Sequence, residues 1–333
     1  MTAAPKATSE QNAQRTWVVI QRNPTSGTGW RRSLLVELVQ ELRRLGLRPR
    51  MFHNRSRCDR WLAVPEHQRQ TLCLVAAGGD GTVDDLLNRH PGWPLAILPL
   101  GTENLLARGL GISPSGRDLA QLIAGGRQQT IDLGIAGVRR FALMASIGFD
   151  AEVIHRVHAG RTGTITHLSY LQPIWAALRT YQHPRLKVWL DDELQAREAR
   201  LAVVVNYPMY ALNLPMARAA RADDGWLEVR LFQRGSAFQI LRYFCTLVFG
   251  RHEQLADVIS VRARRVRIEC DDAAPVQLDG DPHGTTPVEI QIIPGALRVF
   301  APAPVDNSGL ENPGLGNPGP GPQTLPTIPT SGS

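Results

Sequence analysis

Asp80 stands in the middle of a glycine-rich segment, Gly-Gly-Asp-Gly-Thr at residues 78–82, directly after the apolar run TLCLVAA. Glycine-rich turns after strands typically bind phosphate, because backbone N–H groups and the next helix N-terminus attract anions. A carboxylate is repelled by phosphate unless a divalent cation such as Mg²⁺ lies between them. The segment therefore predicts a magnesium-nucleotide site; the alternative is an ordinary strand-to-helix turn that Asp80 caps. The glycines whose N–H groups would face the phosphates are Gly78, Gly79 and Gly81.

Two similar turns occur elsewhere in the first half of the chain. The first, NPTSGTG at residues 23–29, has Ser26 and Gly27 and is followed by arginine, which suits phosphate binding; the alternative is a flexible loop. The second, PLGTEN, has Thr102 and Asn104, which can bind a nucleotide, hold the neighbouring loop or cap a helix. No Gly-Lys-Ser or Gly-Lys-Thr occurs in the chain, which excludes a P-loop NTPase.

Two acidic segments in the second half are further candidates. In QLDGD, the Asp-Gly pair predicts a hairpin turn, and Asp281 beyond it is a candidate general base for a hydroxyl that attacks the γ-phosphate. Asp224 precedes a glycine and either binds a cation or forms a turn, the simpler interpretation. His155 and His158, three residues apart on a predicted helix, are interpreted as surface residues and not as metal ligands.

The elements that must position these residues follow from the apolar pattern. Between Thr16 and about Asp132, an apolar strand, a Gly/Thr/Ser/Asn turn and a helix start occur in succession three times, which predicts a parallel sheet with helices packed on it. Ligands bind beyond the carboxyl ends of such strands, so the turns should gather at one edge. Alternating apolar residues then predict antiparallel strands. We therefore expect a Rossmann-like α/β nucleotide-binding domain at 16–135 and a β-rich domain at 136–302.

Composition limits the class of protein. With 43% apolar residues, a net charge of +7 and a pI of about 9.7, the chain predicts a globular protein with an anionic partner. Its arginines are scattered and not clustered in a motif, which argues against nucleic acid. The four cysteines lack metal or redox spacing, and neither a signal peptide nor a membrane-spanning run is found, so we expect a cytoplasmic protein. Polar residues at 1–15 and Pro/Gly-rich residues at 303–333 predict disorder.

The motifs occur together in a fixed order. NPTSG, GGDGTVDDLLN, LPLGTENLLA, SIGFDAEV and LDGD follow one another across about 260 residues. From Trp17 to about Pro302 the chain resembles the diacylglycerol kinase catalytic-domain family, and within it the bacterial soluble lipid kinases related to sphingosine kinases. NAD kinases and phosphofructokinases share GGDGT, but the NPxSG start and the late Asp-Gly-acid motif separate this family from them.

The resemblance implies an α/β domain and a β-sandwich that carries the lipid, with ATP in the cleft between them and Mg²⁺-dependent phosphorylation of a diacylglycerol- or sphingoid-like hydroxyl. Asp80 matches the family's aspartate near the metal, and Asp281 matches its catalytic base, usually glutamate. Leu105 and Arg221 depart from the family, because many members have aspartate at the first position and a metal-binding acid at the second. Matched nucleotide-site positions are Asn23, Ser26, Gly79, Gly81, Thr82, Gly101, Thr102 and Asn104.

An anionic membrane surface is a further expected partner. The segments ITHLSYLQPIWAALRTY and SAFQILRYFCTLVFG are apolar and aromatic but too short to span a bilayer. They either lie at a membrane interface or, as the simpler alternative, pack on the β-rich domain. Two other functions are kept open: a kinase of a soluble alcohol or NAD, and a non-catalytic regulator that binds lipid or nucleotide.

Overall fold

The computed structural model describes residues 15–23, 31–160, 171–210 and 214–303. Ser26 and Gly27, and the predicted disorder at 1–14 and 304–333, lie outside the described residues. The strands are β1 (Trp17–Arg22), β2 (Arg48–Phe52), β3 (Thr71–Gly78), β4 (Leu95–Pro99), β5 (Gln128–Ala136), β6 (Arg139–Phe141), β7 (Met144–Ile147), β8 (Leu186–Leu190), β9 (Arg197–Ala199), β10 (Leu201–Val205), β11 (Met209–Tyr210), β12 (Leu214–Pro215), β13 (Leu227–Phe232), β14 (Val258–Ala263), β15 (Arg265–Cys270), β16 (Pro275–Leu278), β17 (Asp281–Thr285) and β18 (Val288–Phe300). The helices are α1 (Arg31–Arg44), α2 (Arg55–Leu62), α3 (Pro65–Gln70), α4 (Asp80–Arg89), α5 (Leu105–Gly109), α6 (Gly116–Ala124), α7 (Phe149–Ala159), α8 (Leu171–Thr180) and α9 (Ala237–Val248), with a 3₁₀ turn at His252–Gln254.

A parallel sheet forms the amino-terminal half of the fold, in the strand order β2-β1-β3-β4. Its central strands are short apolar runs that are almost completely buried, as expected of strands covered on both faces. Alternate residues of β3 enter two separate cores: Val75 packs with α1 and α6, and Leu74 packs with α2 and α4. The predicted α/β fold is therefore confirmed.

The carboxyl-terminal half is built from antiparallel strands. A six-stranded sheet has the order β14-β13-β10-β7-β16-β17, and every pairing within it is antiparallel. Val204 and Val229 of this sheet share a core with Val188 and Val266 of the ten-stranded sheet, so the two sheets pack face to face. The predicted antiparallel β architecture is confirmed.

Strand β18 joins the two halves. It pairs antiparallel with β5 and β15, and its end pairs in parallel with β4 through Val299 and Leu95. The ten-stranded sheet thus runs continuously from the amino-terminal strands to the carboxyl-terminal ones. The predicted boundary between residues 135 and 136 falls inside β5 and stays a prediction.

Helices α7, α8 and α9 cover the outer face of the six-stranded sheet. Val153, Ala177 and Tyr243, one from each helix, belong to the same core as Val203 of β10. Among the described residues, no helix has both the length and the apolar character needed to cross a membrane.

Candidate functional site

The carboxyl ends of β1, β3 and β4 meet at one edge of the parallel sheet. The N–H of Asn23 donates to the carbonyl of Ala77 (3.2 Å), and that of Leu100 donates to the carbonyl of Gly78 (2.9 Å). Parallel pairing places strand ends side by side, so the turns that follow β3 and β4 are neighbours and Asn23 lies beside them.

The glycines of these turns serve different purposes. A Cβ on Gly101 would overlap with the Cα of Gly79, and one on Gly78 would overlap with the side chain of Thr82. Close packing therefore requires glycine at positions 78, 79 and 101, because a side chain there would lie too close to neighbouring atoms of the protein. Gly81 is different, because it is exposed and a Cβ there would meet no atom within 4 Å.

This contrast gives a stability prediction. Gly101→Ala should lower the free energy of unfolding by about 1–3 kcal/mol, because the two turns must move apart. Gly81→Ala lies in the first turn of α4 and should leave the stability unchanged or slightly raised. Urea unfolding of both variants measures the difference; an equal loss of stability would contradict the packing described here.

Asp80 begins α4 and joins the second turn to the third. Its carboxylate accepts hydrogen bonds from the backbone N–H groups of Leu105 (3.1 Å) and Leu106 (3.3 Å) at the start of α5. Asp80 thus caps the neighbouring helix, while its own helix has Gly79 at the N-cap position and no side-chain cap. Burial raises the pKa of Asp80, and the two N–H donors oppose that shift. A carboxylate has about four acceptor sites, so the bonds to α5 do not use its full capacity.

Asn104 holds its own loop together. It has a positive φ of 50°, and its side chain donates to the carbonyl of Gly101 (2.8 Å) and accepts from the Gly101 N–H (2.9 Å). Arg31 of α1 also donates to this loop, at the carbonyl of Leu100 (3.2 Å). The side chain of Thr102 is exposed at the same edge. The described contacts of Asn104 are thus within its own loop and not with the neighbouring one, and its side chain does not cap α5. Nucleotide binding by Asn104 stays a prediction.

Asp281 follows a two-residue hairpin turn between β16 and β17. Asp279 and Gly280 have φ values of 49° and 86°, as a type I′ turn requires, so the predicted hairpin is confirmed. Beneath the turn, the buried side chain of Gln277 accepts from the Gly280 N–H (2.7 Å) and donates to Ser146 (2.8 Å). The start of β17, and hence Asp281, is fixed by these bonds.

A single arginine connects this hairpin with the helix that begins at Asp80. Arg139 contacts Asp281 (2.9 Å) and Asp84 (2.8 Å), and Asp84 lies one helical turn after Asp80 on the same face of α4. His158 Nε2 is 3.6 Å from Asp281 Oδ1. Motifs that are far apart in the sequence are thus brought to one place.

Sequence reasoning did not identify Asp84, Arg139 or His158 as part of this cluster. The interpretation of His158 as a surface residue was wrong, because its side chain is only 23% exposed and lies beside Asp281. Burial raises the pKa of Asp84 to about 6, against the opposing charge of Arg139. The four-residue spacing of Asp80 and Asp84 on a predicted helix was a usable signal, whereas nothing in the sequence singled out Arg139.

Asp279 has a structural role beneath the candidate base. Its buried carboxylate accepts hydrogen bonds from the N–H groups of Ala142 (2.6 Å), Leu143 (2.9 Å) and Met144 (2.9 Å). Burial raises its pKa to about 7, although these three donors favour the charged form. Asp279 therefore anchors the start of β7 to the hairpin.

Removing this anchor should be costly. Asp279→Ala is expected to lower the free energy of unfolding by at least about 3 kcal/mol, since each unpaired buried N–H costs about 1–3 kcal/mol. Asp279→Asn should lose less, because asparagine keeps an acceptor oxygen and tolerates a positive φ. The control is Asp271→Ala. The Asp271 side chain is 80% exposed, so this substitution should change the free energy of unfolding by no more than about 0.5 kcal/mol. Equal urea midpoints for Asp279→Ala and the control would contradict the anchoring role.

Asp224 and Arg221 lie in a turn before β13. Asp224 accepts from the Trp226 N–H (3.1 Å) and forms an ion pair with Arg262, while Arg221 contacts Asp223 (3.2 Å). Within the described ranges, no group of three or more His, Cys, Asp or Glu residues is placed to hold a metal ion. These contacts correspond to the turn interpretation, and a metal at Asp224 stays a prediction.

Comparisons with known proteins agree with this fold and arrangement. The diacylglycerol kinase catalytic domain model matches residues 16–136, and the YegS C-terminal NAD kinase beta sandwich-like domain model matches residues 144–301. The diacylglycerol kinase of Mycobacterium tuberculosis (strain ATCC 25618 / H37Rv) is 32% identical over 242 residues, which cover 70% of this chain and 77% of the relative. The diacylglycerol kinase of Staphylococcus carnosus (strain TM300) is 22% identical over 293 residues, which cover 86% of this chain and 96% of the relative.

The chain belongs to the diacylglycerol kinase family. This confirms the resemblance drawn from the motifs and, at the level of the family, the predicted class of enzyme, a lipid kinase. A crystal structure of a diacylglycerol kinase from Bacillus anthracis str. Sterne aligns with a TM-score of 0.65 at 20% identity, covering 87% of this chain and 97% of that one. The two proteins therefore share a fold.

Proposed function

We propose that this chain is an ATP- and Mg²⁺-dependent kinase that transfers the γ-phosphate to the hydroxyl of a diacylglycerol-like or sphingoid-like lipid. The Arg139 bridge supports this most directly, because it brings Asp281 next to the helix that starts at Asp80. A candidate base and a candidate nucleotide edge then belong to one site. Phosphoryl transfer depends mainly on such positioning and on charge stabilisation.

The residues at the sheet edge fit a magnesium-nucleotide. Gly81 faces open space at the N-terminus of the ten-residue helix α4, where N–H groups and the helix dipole attract phosphate. Mg²⁺ bound to a nucleotide uses one or two protein carboxylates, so a cluster of three acids is not required. Asp80, whose bonds to α5 leave acceptor capacity on its carboxylate, would hold the metal, and Asn23 and Thr102 lie at the same edge. When bound, the magnesium-nucleotide supplies the phosphoryl group and neutralises its charge.

Asp281 is the proposed proton acceptor for the lipid hydroxyl. Its side chain is 39% exposed, so a substrate can reach it. Arg139 holds Oδ2 (2.9 Å), which leaves Oδ1 on the side of His158 to accept the proton. Aspartate is one methylene shorter than the glutamate usual in the family, so the acceptor hydroxyl must come closer to β17.

We further propose a cytoplasmic enzyme that binds peripherally to an anionic membrane surface. The net charge of +7 favours such a surface, and all four cysteines are free, as in a reducing compartment.

Lipid-dependent release of ADP tests the proposed activity. Diacylglycerol or sphingosine in detergent micelles should stimulate ADP release in the presence of Mg²⁺, whereas glycerol and NAD should not. Stimulation by NAD or by a water-soluble alcohol alone would contradict the lipid acceptor and favour a kinase of soluble substrates.

A further inference from the structure

Exposed apolar side chains are concentrated on α9. Twelve large apolar side chains are exposed among the described residues, and five of them lie within residues 238–249. Within the part of the chain that the structure describes, this helix and the residue after it thus carry the largest group of exposed apolar side chains. Phe238 is 72% exposed and Phe249, directly after the helix, is 76% exposed. The other three are Leu241, Phe244 and Val248.

The helix has two apolar faces, and packing uses one of them. Ile240, Tyr243 and Leu247 are buried against the six-stranded sheet. Successive helical residues are about 100° apart, so the four exposed large apolar side chains of the helix cover an arc of about 120° beside the buried face. Ala237 and Cys245 are also exposed within this arc. No acidic residue occurs between residues 236 and 250. We call this arc, together with Phe249, the outer face of α9.

Arginines surround the outer face. Arg234 and Arg251 are exposed at its two ends, and the guanidinium of Arg218 lies against Gly250. Two acids lie nearby. Asp257 pairs with Arg242 and lies 3.6 Å from Arg234. Glu253, in the 3₁₀ turn that contacts α9, pairs with the buried Arg230 (2.6 Å). Positive charge therefore exceeds negative charge around an apolar surface.

We propose that the outer face of α9 inserts into the interfacial layer of an anionic phospholipid bilayer, with the helix axis in the membrane plane. An interfacial helix typically combines Phe and Leu on one side with arginine at the margins, which contact lipid phosphates. A symmetric contact with a second copy would oppose the same arginines to each other, which favours the bilayer as the occupant. This inference rests on the proposed function, because a kinase whose acceptor is a membrane lipid has to bind the membrane surface.

The outer face is structurally linked to the candidate site. Helix α9 contacts β12, β12 pairs with β11, and β11 contacts α5, whose first N–H groups bind Asp80. A continuous chain of contacts thus leads from α9 through the small two-stranded sheet to the helix that Asp80 caps.

Cys245 provides a native reporter, because it is an exposed thiol within the outer face. Cys58 and Cys73 are buried, so Cys270→Ser leaves Cys245 as the accessible cysteine for a polarity-sensitive fluorophore. We expect a blue shift, and quenching by brominated acyl chains, with vesicles that contain phosphatidylglycerol and a much smaller change with pure phosphatidylcholine. Unchanged emission with both vesicle types would overturn the proposal.

Substitution tests the same surface without a label. The double variant Phe238→Asp, Phe249→Asp should lose at least about 10-fold in affinity for phosphatidylglycerol vesicles in co-sedimentation, since charges are excluded from the acyl region. The matched control Leu194→Asp alters a side chain that is 96% exposed elsewhere and should bind as the wild type does. Unchanged binding by the double variant, or no binding by the wild type, would overturn the proposal.

Two further readouts separate the remaining outcomes. Vesicle binding needs no nucleotide and no turnover, so a protein that binds but does not phosphorylate lipid contradicts the proposed kinase and not the docking surface. The double variant should retain wild-type activity on short-chain lipid in detergent micelles.

Analytical ultracentrifugation tests a second copy as the occupant. A wild-type dimer that dissociates in the double variant would assign the outer face to a second copy and overturn bilayer docking.

Discussion

Asp80→Asn is expected to lower the rate of phosphoryl transfer by about 10²–10³-fold while leaving the fold intact. The amide oxygen of asparagine can still accept a hydrogen bond from the start of α5, so the cap is partly retained. The negative charge that would attract Mg²⁺ is lost, because an amide is a weak ligand for a hard cation. Steady-state kinetics at saturating Mg²⁺ measures the effect on turnover, and thermal unfolding checks the fold.

Asp85→Asn is the matched control for this variant. Asp85 lies on the same helix, but its carboxylate pairs with Arg89 (2.7 Å) and Arg55 (3.4 Å) on the side of α2. The control should keep wild-type turnover. A similar loss of activity in both variants would mean that the charge of α4 matters in general and that Asp80 has no special role.

Asp281→Asn is expected to lower turnover by about 10²–10⁴-fold, the usual contribution of a general base. The Asn side chain retains the size of Asp and can still meet Arg139, so the hairpin should remain folded. It cannot accept a proton from the lipid hydroxyl. Turnover with a dispersed lipid substrate is the measurement, with KM for ATP recorded beside it.

Asp281→Glu distinguishes the base from a merely structural carboxylate. It restores a proton acceptor one methylene longer, so we expect it to retain most of the activity that Asp281→Asn loses. Wild-type turnover in Asp281→Asn would contradict the proposed base. An inactive Asp281→Glu with normal stability would show that the reach of the carboxylate is set by the Arg139 contact.

Much of the fold could be predicted because the signals are local. Strands β1, β3 and β4 are apolar runs that lead into the three predicted turns, and Asp-Gly after Leu278 fixes a two-residue hairpin. Strand β2, RPRMF, is mostly exposed and was not predicted, because it has no apolar run. The return of β18 to pair with β4 could not be predicted, because pairing between distant strands leaves no mark in either strand. The sheet therefore extends further than the motif pattern indicated.

The candidate site was only partly predictable for the same reason. Arg139 and Asp281 are separated by 142 positions, so their ion pair exists only in the folded chain. Asp80 was expected either to bind the metal of a magnesium-nucleotide, which stays a prediction, or to cap its own helix. The second alternative was wrong, because Asp80 caps α5, a contact that depends on how two turns pack. That contact uses the backbone N–H of Leu105, so the departure of its side chain from the family pattern does not remove it.

We infer that the site joining Asp80 and Asp281 phosphorylates a lipid. The decisive experiment is incubation of the purified chain with γ-labelled ATP, Mg²⁺ and a mixed lipid extract, beside Asp80→Asn and Asp281→Asn. We predict that label enters the organic phase with the wild type and with neither variant. If all label stays in the aqueous phase while nucleotide binding is measurable, the claim is contradicted, and a non-catalytic regulator or a soluble acceptor takes its place.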